Sequence, residues 1–181
     1  MVGKLKERAE KIKQGNPLDP ATTMGAMVDV NHAKKVEEFL NVGKAEAKLI
    51  TGGDRFSIND SDAFIQPTIF ADVSDDATIA RDEIFGPVLA IQTFDTEDEA
   101  IKIANKSVYG LAASVWTSEL ARAMDLSDKL HVGTVSVNTV DALSAMTPFG
   151  GMKQSGFGRD LSIHSFDKYT ALKTLWVKYS L

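Results

Sequence analysis

The sequence predicts an α/β fold in which a parallel-rich sheet is flanked by helices. Apolar runs of strand length, at residues 88–94, 111–116 and 134–138, alternate with two stretches of helical periodicity. Thr96 and Glu99 open the first of these helices as a capping box, because the hydroxyl accepts a helix amide while the glutamate reaches back. Strand, helix, strand, helix, strand with short turns is typical of right-handed crossovers in a parallel sheet.

Two amphipathic helices are predicted before this alternating region. Residues 1–14 place apolar side chains on one face and basic ones on the other, and Gly15 and Pro17 end the helix. Asp29 or Asn31 then caps a second helix that runs to about residue 42. Its apolar face is formed by Val36, Phe39 and Leu40. A short strand at residues 48–51 follows.

Between this strand and the alternating region lie a polar stretch and an extended one. Residues 55–62 are polar and are interpreted as a surface excursion, whereas residues 65–73 are extended. Pro67 favours an edge strand or an irregular approach to the sheet, because proline donates no ladder hydrogen bond. A short helical turn over residues 75–82 leads into the apolar run.

The alternating region supplies most of the predicted core. The strand at 88–94 is apolar enough to be buried on both faces, and Thr117 or Ser118 is expected to cap the second crossover helix. Trp116 is expected to be a core residue. The inward-facing residues of the two crossover helices are predicted to be Ala100, Ile103 and Ala104 in the first, and Leu120, Ala123, Met124 and Leu130 in the second.

Composition excludes several classes of function. The 181 residues are 44% hydrophobic, which suits a compact domain with a real core. A formal charge of -5 argues against an electrostatic nucleic-acid binder. No apolar run approaches a membrane span, and no signal-peptide core is present, so a cytoplasmic location is expected. The chain has no cysteine, and His32, His131 and His164 lack metal-ligand spacing, so no metal site is predicted.

Residues 83–88 form the central motif of the chain. A carboxylate, an aromatic residue and a Gly-Pro stop stand directly before a strand, and α/β sheets bind ligands near strand ends of this kind. Glu83 could accept hydrogen bonds from a vicinal diol such as a ribose, and Phe85 offers a flat face to a planar heterocycle. The chemistry alone leaves open that Glu83 is simply solvated and that Phe85 is part of the core.

A glycine-rich run at residues 149–159 is the second candidate site. Its spacing matches neither the G-x-x-x-x-G-K-[ST] nor the G-x-G-x-x-G phosphate-binding template. Its glycines are interpreted as permitting a tight backbone passage against another surface.

These segments together resemble the aldehyde dehydrogenase superfamily, whose members oxidise aldehydes to acids with NAD or NADP. Residues 83–88 read E-I-F-G-P-V, and residues 109–117 read Y-G-L-A-A-S-V-W-T. Further similar segments follow in the family's order at residues 133–138, 148–159 and 169–174. The resemblance covers the whole chain but less than half of a family member. Residues 159–164 and 172–176 look most like the γ-glutamyl-aminobutyraldehyde and guanidinobutyraldehyde dehydrogenases.

The resemblance implies roles for three residues. Glu83 and Phe85 would bind the NAD or NADP cofactor, and Phe149 would be an aromatic wall of the substrate tunnel. The loop around Asp141 would line the tunnel mouth, where this aspartate either favours a cationic or amide-bearing substrate or is a solvated turn residue. Family members place a dinucleotide-binding domain, a catalytic glutamate and a nucleophilic cysteine before this region. With no cysteine, the isolated chain is predicted to have no catalytic residue and no turnover.

The resemblance also implies a division of the chain into three parts. Residues 1–143 would be a portion of the catalytic domain, residues 144–168 a glycine-rich segment covering the active site, and residues 169–181 an oligomerisation strand. That tail is rich in β-forming residues without a local hairpin partner, so we expect it to be frayed or to pair with another copy in a homo-oligomer. A free-standing binding or assembly module without catalysis is the alternative hypothesis.

Overall fold

The computed structural model describes residues 1–140 and 142–180 and contains two compact units, Met1–Asp95 and Thr96–Leu181. The first unit has three helices and five strands. In chain order they are α1 (Val2–Glu10), α2 (Val30–Glu46), β1 (Lys48–Thr51), β2 (Arg55–Ile58), β3 (Ser61–Ile65), β4 (Thr68–Ala71), α3 (Thr78–Arg81) and β5 (Val88–Ala90).

The sheet of the first unit is mixed, with β4 in its centre. β4 pairs antiparallel with β1 and parallel with β5, while β2 and β3 form a separate antiparallel hairpin. The core lies under α2, whose residues Val36 and Leu40 recur at helical spacing and are fully buried against Phe70 of β4. Gly43 continues this face and leaves room for the Phe70 ring, because a Cβ atom at Gly43 would lie only 2.7 Å from Cζ of that ring.

Local signals predicted α2 and β1 well. The Asp29 carboxylate accepts a hydrogen bond of 2.8 Å from the backbone N–H of His32, so Asp29 rather than Asn31 is the cap. The helix runs to Glu46, four residues beyond its predicted end, because it packs on β1 and because Gly43 in its last turn lies against Phe70 of β4. Phe39 is only half-buried at the border of the predicted apolar face.

Three expectations for the first unit are refined or corrected by the structure. Residues 55–62, interpreted as a surface excursion, form most of the β2–β3 hairpin, in which the rings of Phe56 and Phe64 lie 5.8 Å apart. Of the two alternatives for Pro67, the edge strand is wrong, since the proline directly precedes the central strand β4. The irregular approach to the sheet is the alternative that the structure shows, because Pro67 lies between β3 and β4 and belongs to neither strand. The run at 88–94 is strand only in β5, where Leu89 is 43% exposed, because β5 has β4 as its one strand neighbour among the described residues.

The second unit has two helices, four strands and one 3₁₀ helix in its described residues. They are α4 (Glu97–Lys106), β6 (Tyr109–Gly110), β7 (Ala112–Val115), α5 (Leu120–Lys129), β8 (Thr134–Val137), β9 (Met152–Lys153) and the 3₁₀ helix Ile163–Lys168. β7 and β8 are parallel, as predicted, and β6 pairs antiparallel with β9. β5 pairs with β4 in the sheet of the first unit, and β7 pairs with β8 in a two-stranded sheet of the second.

The crossover helices begin largely as predicted. The Thr96 hydroxyl accepts the backbone N–H of Glu99 at 3.2 Å. The start of α5 differs, because Glu119 occupies its cap position without a side-chain cap bond. Thr117 Oγ1 instead accepts the N–H of Glu119 at 3.2 Å.

The predicted inner faces of these helices are only partly buried. Ala123 is buried, but Leu120 and Met124 are exposed by 76% and 65%, and Ala104 is also exposed. Trp116 is 67% exposed rather than a core residue. Helical periodicity identifies an apolar face correctly, but a face is buried only where another element packs on it.

Residues 170–180 form neither helix nor strand in this structure. Their apolar side chains are exposed, including Leu172, Trp176 and Tyr179. No helix within the described residues is long and apolar enough to cross a membrane.

Candidate cofactor and substrate site

The central motif is a loop between α3 and β5 that is fixed at both sides. Ile84 packs against the core of the first unit. Two residues later, a Cβ atom at Gly86 would lie 2.9 Å from a methyl carbon of Val36 in α2, so the backbone can pass this close only without a side chain. The loop therefore rests on α2 through Gly86 while its polar and aromatic residues face outward.

Glu46 fixes the short helix that leads into this loop. Its carboxylate accepts hydrogen bonds from the backbone N–H of Thr78 at 2.7 Å and from the Thr78 hydroxyl at 2.8 Å. The bond from the Thr78 side chain lowers the pKa of Glu46, burial opposes this shift, and the backbone N–H groups of Ile79 and Thr78 reinforce it. An ionised Glu46 thus acts as the N-terminal anchor of α3, although it comes from the end of α2.

Phe85 is held in an unusual conformation at the outer side of the loop. Its φ of +52° lies in the left-handed region, which residues other than glycine seldom adopt. Its ring is 73% exposed, so it is not a core residue. The ring contacts the imidazole of His32, with centroids 5.7 Å apart and an interplanar angle of 31°.

Glu83 lies two residues earlier on the same loop and is exposed. Its carboxylate makes neither a hydrogen bond nor an ion pair with any residue that the structure describes. The loop therefore presents an acceptor with free lone pairs beside an exposed aromatic ring, which suits a ribose diol joined to a planar heterocycle.

The glycine-rich segment of the second unit is held by close backbone contacts. A Cβ atom at Gly133 would lie 1.7 Å from the carbonyl oxygen of Gly150, and one at Gly150 would lie 2.5 Å from that of Gly158. Arg159 Nη1 donates to the carbonyl oxygens of Gly151 at 2.9 Å and Gly158 at 2.7 Å. The glycines thus permit a tight passage, as predicted, and the surface they pass is the chain's own backbone.

Phe149 begins this segment and is fixed through its main chain. Its N–H donates to the carbonyl of Asp160 at 2.9 Å, and the N–H of Asp160 donates back at 2.7 Å. Phe149 lines a cavity of about 170 Å³ that is bordered by β7, β8, Val140, Ala142 and Leu143. The cavity wall includes the small side chains of Ala112, Ser114 and Ser136. Asp141, the candidate for the tunnel mouth, lies outside the described residues.

The structure therefore brings Glu83 and Phe85 onto one loop and places Phe149 at a cavity in the second unit. Sequence reasoning considered His32 only as a metal ligand and missed its contact with Phe85. No sequence signal joins residues 32 and 85, because their proximity depends on the packing of Gly86 against α2. Among the described residues, no group of three or more potential ligands is placed to hold a metal ion.

Comparison with known proteins defines the class of this protein. A profile of the aldehyde dehydrogenase family matches residues 1–175, so the chain belongs to that family. The predicted family resemblance and the α/β fold are thereby confirmed.

Individual relatives cover nearly the whole chain. The NADP/NAD-dependent aldehyde dehydrogenase PuuC of Escherichia coli K12 is 46% identical over 173 residues, which are 96% of this chain and 34% of PuuC. A betaine aldehyde dehydrogenase of Sinorhizobium fredii is 47% identical over 178 residues, covering 97% of this chain and 37% of that protein. The chain thus spans about a third of the length of these curated relatives.

Solved structures show the same fold. A mutant of P. syringae AldA indole-3-acetaldehyde dehydrogenase, in complex with NAD+ and IAA, superposes with a TM-score of 0.93 at 46% identity, over 98% of this chain and 36% of that one. The aldehyde dehydrogenase KauB of Pseudomonas aeruginosa gives a TM-score of 0.93 at 45% identity, with the same coverage.

Proposed function

We propose that this chain serves in the NAD(P)-dependent oxidation of an aldehyde to a carboxylic acid, as part of an aldehyde dehydrogenase. The observation that carries this proposal is the central loop, which combines an exposed, unpartnered Glu83 carboxylate with an exposed Phe85 ring in a chain of this family. In this proposal residues 1–143 belong to the catalytic domain and residues 144–168 cover the active site.

Glu83 and Phe85 would hold the nicotinamide end of the cofactor. The carboxylate accepts hydrogen bonds from both ribose hydroxyls, and the ring of Phe85 faces the nicotinamide. The bound cofactor supplies the hydride acceptor for the reaction. Contacts of this kind fix the cofactor's orientation relative to the aldehyde, and orientation is a large part of the catalytic effect.

Phe149 would form one wall of the path taken by the aldehyde. Its backbone is fixed by the paired hydrogen bonds with Asp160, and the residue adds an apolar side chain to the lining of the neighbouring cavity. As substrates we propose aldehydes of the γ-glutamyl-aminobutyraldehyde and guanidinobutyraldehyde type.

The chain itself supplies no nucleophile of the kind that aldehyde oxidation through a thiohemiacetal needs, because it has no cysteine. The isolated chain should therefore produce no NADH or NADPH from any aldehyde. In a complete enzyme the thiolate would come from a segment outside these 181 residues.

Residues 169–181 would form an oligomerisation strand in a cytoplasmic homo-oligomer. Leu172, Leu175, Trp176, Val177 and Tyr179 combine β propensity with exposure, and residues 170–180 have no strand partner in the described structure. A β-forming apolar segment of this kind is stabilised by pairing with another chain. Light scattering of the wild-type chain and of a Trp176→Lys, Val177→Lys variant would detect this association and its loss.

A chimaera tests the enzymatic proposal directly. Residues 1–175 replace the matched third of E. coli PuuC, and NADH or NADPH formation is followed by absorbance. We expect turnover, with the KM for the cofactor raised about 10- to 100-fold by Glu83→Gln, because a charged hydrogen bond contributes about 1.5–3 kcal/mol. Glu38→Gln, which changes an exposed glutamate on α2, is the matched control and should leave KM unchanged.

Two results would reject the proposal. A folded, cofactor-binding chimaera without turnover would show that this chain cannot complete the active site, and would favour the alternative of a non-catalytic binding or assembly module. An unchanged cofactor KM in the Glu83→Gln chimaera would remove the role of the central loop.

A further inference from the structure

We propose that His32 is a positioning residue that orients the ring of Phe85 for contact with the cofactor. This inference rests on the proposed function, because it concerns the ring assigned there to the nicotinamide. The observation behind it is the contact between the two rings, whose centroids are 5.7 Å apart.

His32 is itself held firmly. It lies in the first turn of α2, and its backbone N–H donates to the Asp29 carboxylate that caps this helix. The same helix carries Val36, against which Gly86 packs closely. The backbone of His32 belongs to α2, and the backbone next to Phe85 packs on the same helix. The relative position of the two residues is therefore set by α2.

Phe85, by contrast, has little else to restrain it. Its ring is 73% exposed and its backbone has a φ of +52°, whereas the neighbouring Ile84 packs against the core. His32 makes the one aromatic contact of this ring among the described residues. Without the imidazole, the ring would sample several rotamers in solvent.

Restraint of this kind should strengthen ligand binding. A ring that is already oriented loses less conformational entropy when a ligand stacks on it. A ring that is free before binding must be immobilised, and this entropy loss weakens binding by about two- to tenfold. The stacking role requires a flat ring at position 32. A role in hydrogen bonding to the ligand would instead require a polar side chain.

This difference defines the test in the 181-residue chain. All phenylalanines are replaced by 4-fluorophenylalanine, and the ¹⁹F signal of Phe85 is assigned from its loss in Phe85→Leu. Nicotinamide mononucleotide is the probe, titrated to tens of millimolar because a small ligand on one loop should bind in the millimolar range. The variants are His32→Ala, His32→Phe and His32→Gln. Lys34→Ala, an exposed change on the same helix, is the control.

We expect His32→Ala to move the Phe85 signal toward that of the fully exposed Phe157 and to weaken nucleotide binding about two- to tenfold. His32→Phe should restore both properties, whereas His32→Gln should not, and Lys34→Ala should match the wild type. If truncating a side chain on α2 weakened the helix in general, Lys34→Ala would also change the Phe85 signal. If His32→Ala disturbed the whole unit, the signals of its other fluorinated phenylalanines would move as well.

Four outcomes would overturn the inference. An unmoved Phe85 signal in His32→Ala would show that the imidazole does not orient the ring. Rescue by His32→Gln but not by His32→Phe would assign a hydrogen-bonding role instead. If the nucleotide leaves Phe85 unaffected in the wild type, the loop is not a cofactor contact and the proposed function loses its main support. Normal wild-type binding that His32→Ala leaves unchanged would reject only the role of His32.

Discussion

Gly43→Ala should destabilise the first unit, although the same change usually stabilises a helix. Replacing glycine by alanine inside a helix gains about 0.8–1 kcal/mol of helix propensity. At position 43, however, the new Cβ would lie 2.7 Å from Cζ and 2.8 Å from Cε2 of Phe70. Carbon atoms pack at about 3.5–4.0 Å, so the ring or the helix must move by roughly 1 Å. Phe70 is fully buried, and overpacking of this kind costs about 1–3 kcal/mol, which leaves a net loss of about 1 kcal/mol.

Hydrogen exchange of backbone amides in α2 and β4 would measure this effect. Tryptophan fluorescence would not report on the first unit, because both tryptophan side chains lie in the second. Gly3→Ala is the matched control, since no atom lies within 4 Å of its added Cβ, and it should be neutral or stabilising. Phe70→Leu should remove most of the penalty of Gly43→Ala in a double-mutant cycle. Slower exchange in Gly43→Ala, similar to that in Gly3→Ala, would refute the steric argument.

Three further changes have definite expected outcomes. Gly133→Ala places a Cβ atom 1.7 Å from the Gly150 carbonyl oxygen and should lower the free energy of unfolding of the second unit by about 3 kcal/mol in denaturant titrations. Gly25→Ala, with open space around its Cβ atom, should leave the free energy of unfolding unchanged. Asp29→Ala removes the cap of α2 and should lower the free energy of unfolding by about 1 kcal/mol, with Asn31→Ala neutral. Glu46 has a lowered pKa in the folded chain, so its stabilising contribution is present above the ordinary glutamate pKa and is lost as pH falls through the lowered value. The stability difference between wild type and Glu46→Gln should therefore shrink in acid, and a difference independent of pH would contradict the assignment.

The sequence predicted those elements whose determinants are local. The Asp29 cap, the strand at residues 48–51 and the Thr96 cap were found because each depends on a few neighbouring residues. The loop with Glu83 and Phe85 was found in the same way, as a carboxylate and an aromatic residue before a strand. Pairing between distant segments was harder to predict. The β2–β3 hairpin was missed because the residues between Phe56 and Phe64 are mostly polar, so the pairing of the two aromatic residues was not recognised.

Burial was the least predictable property, for a physical reason. The apolar faces of α5 and the strand at Val88–Ala90 were identified correctly as apolar, yet Leu120, Met124 and Leu89 remain exposed. Periodicity describes one element, whereas burial depends on a second element that covers it. The chain spans about a third of the length of its curated relatives. The same distinction between an apolar residue and a covered one applies to Phe85 in the central loop. Phe85 is exposed although its own loop is firmly anchored, and this combination is what supports the proposal that its ring contacts a ligand.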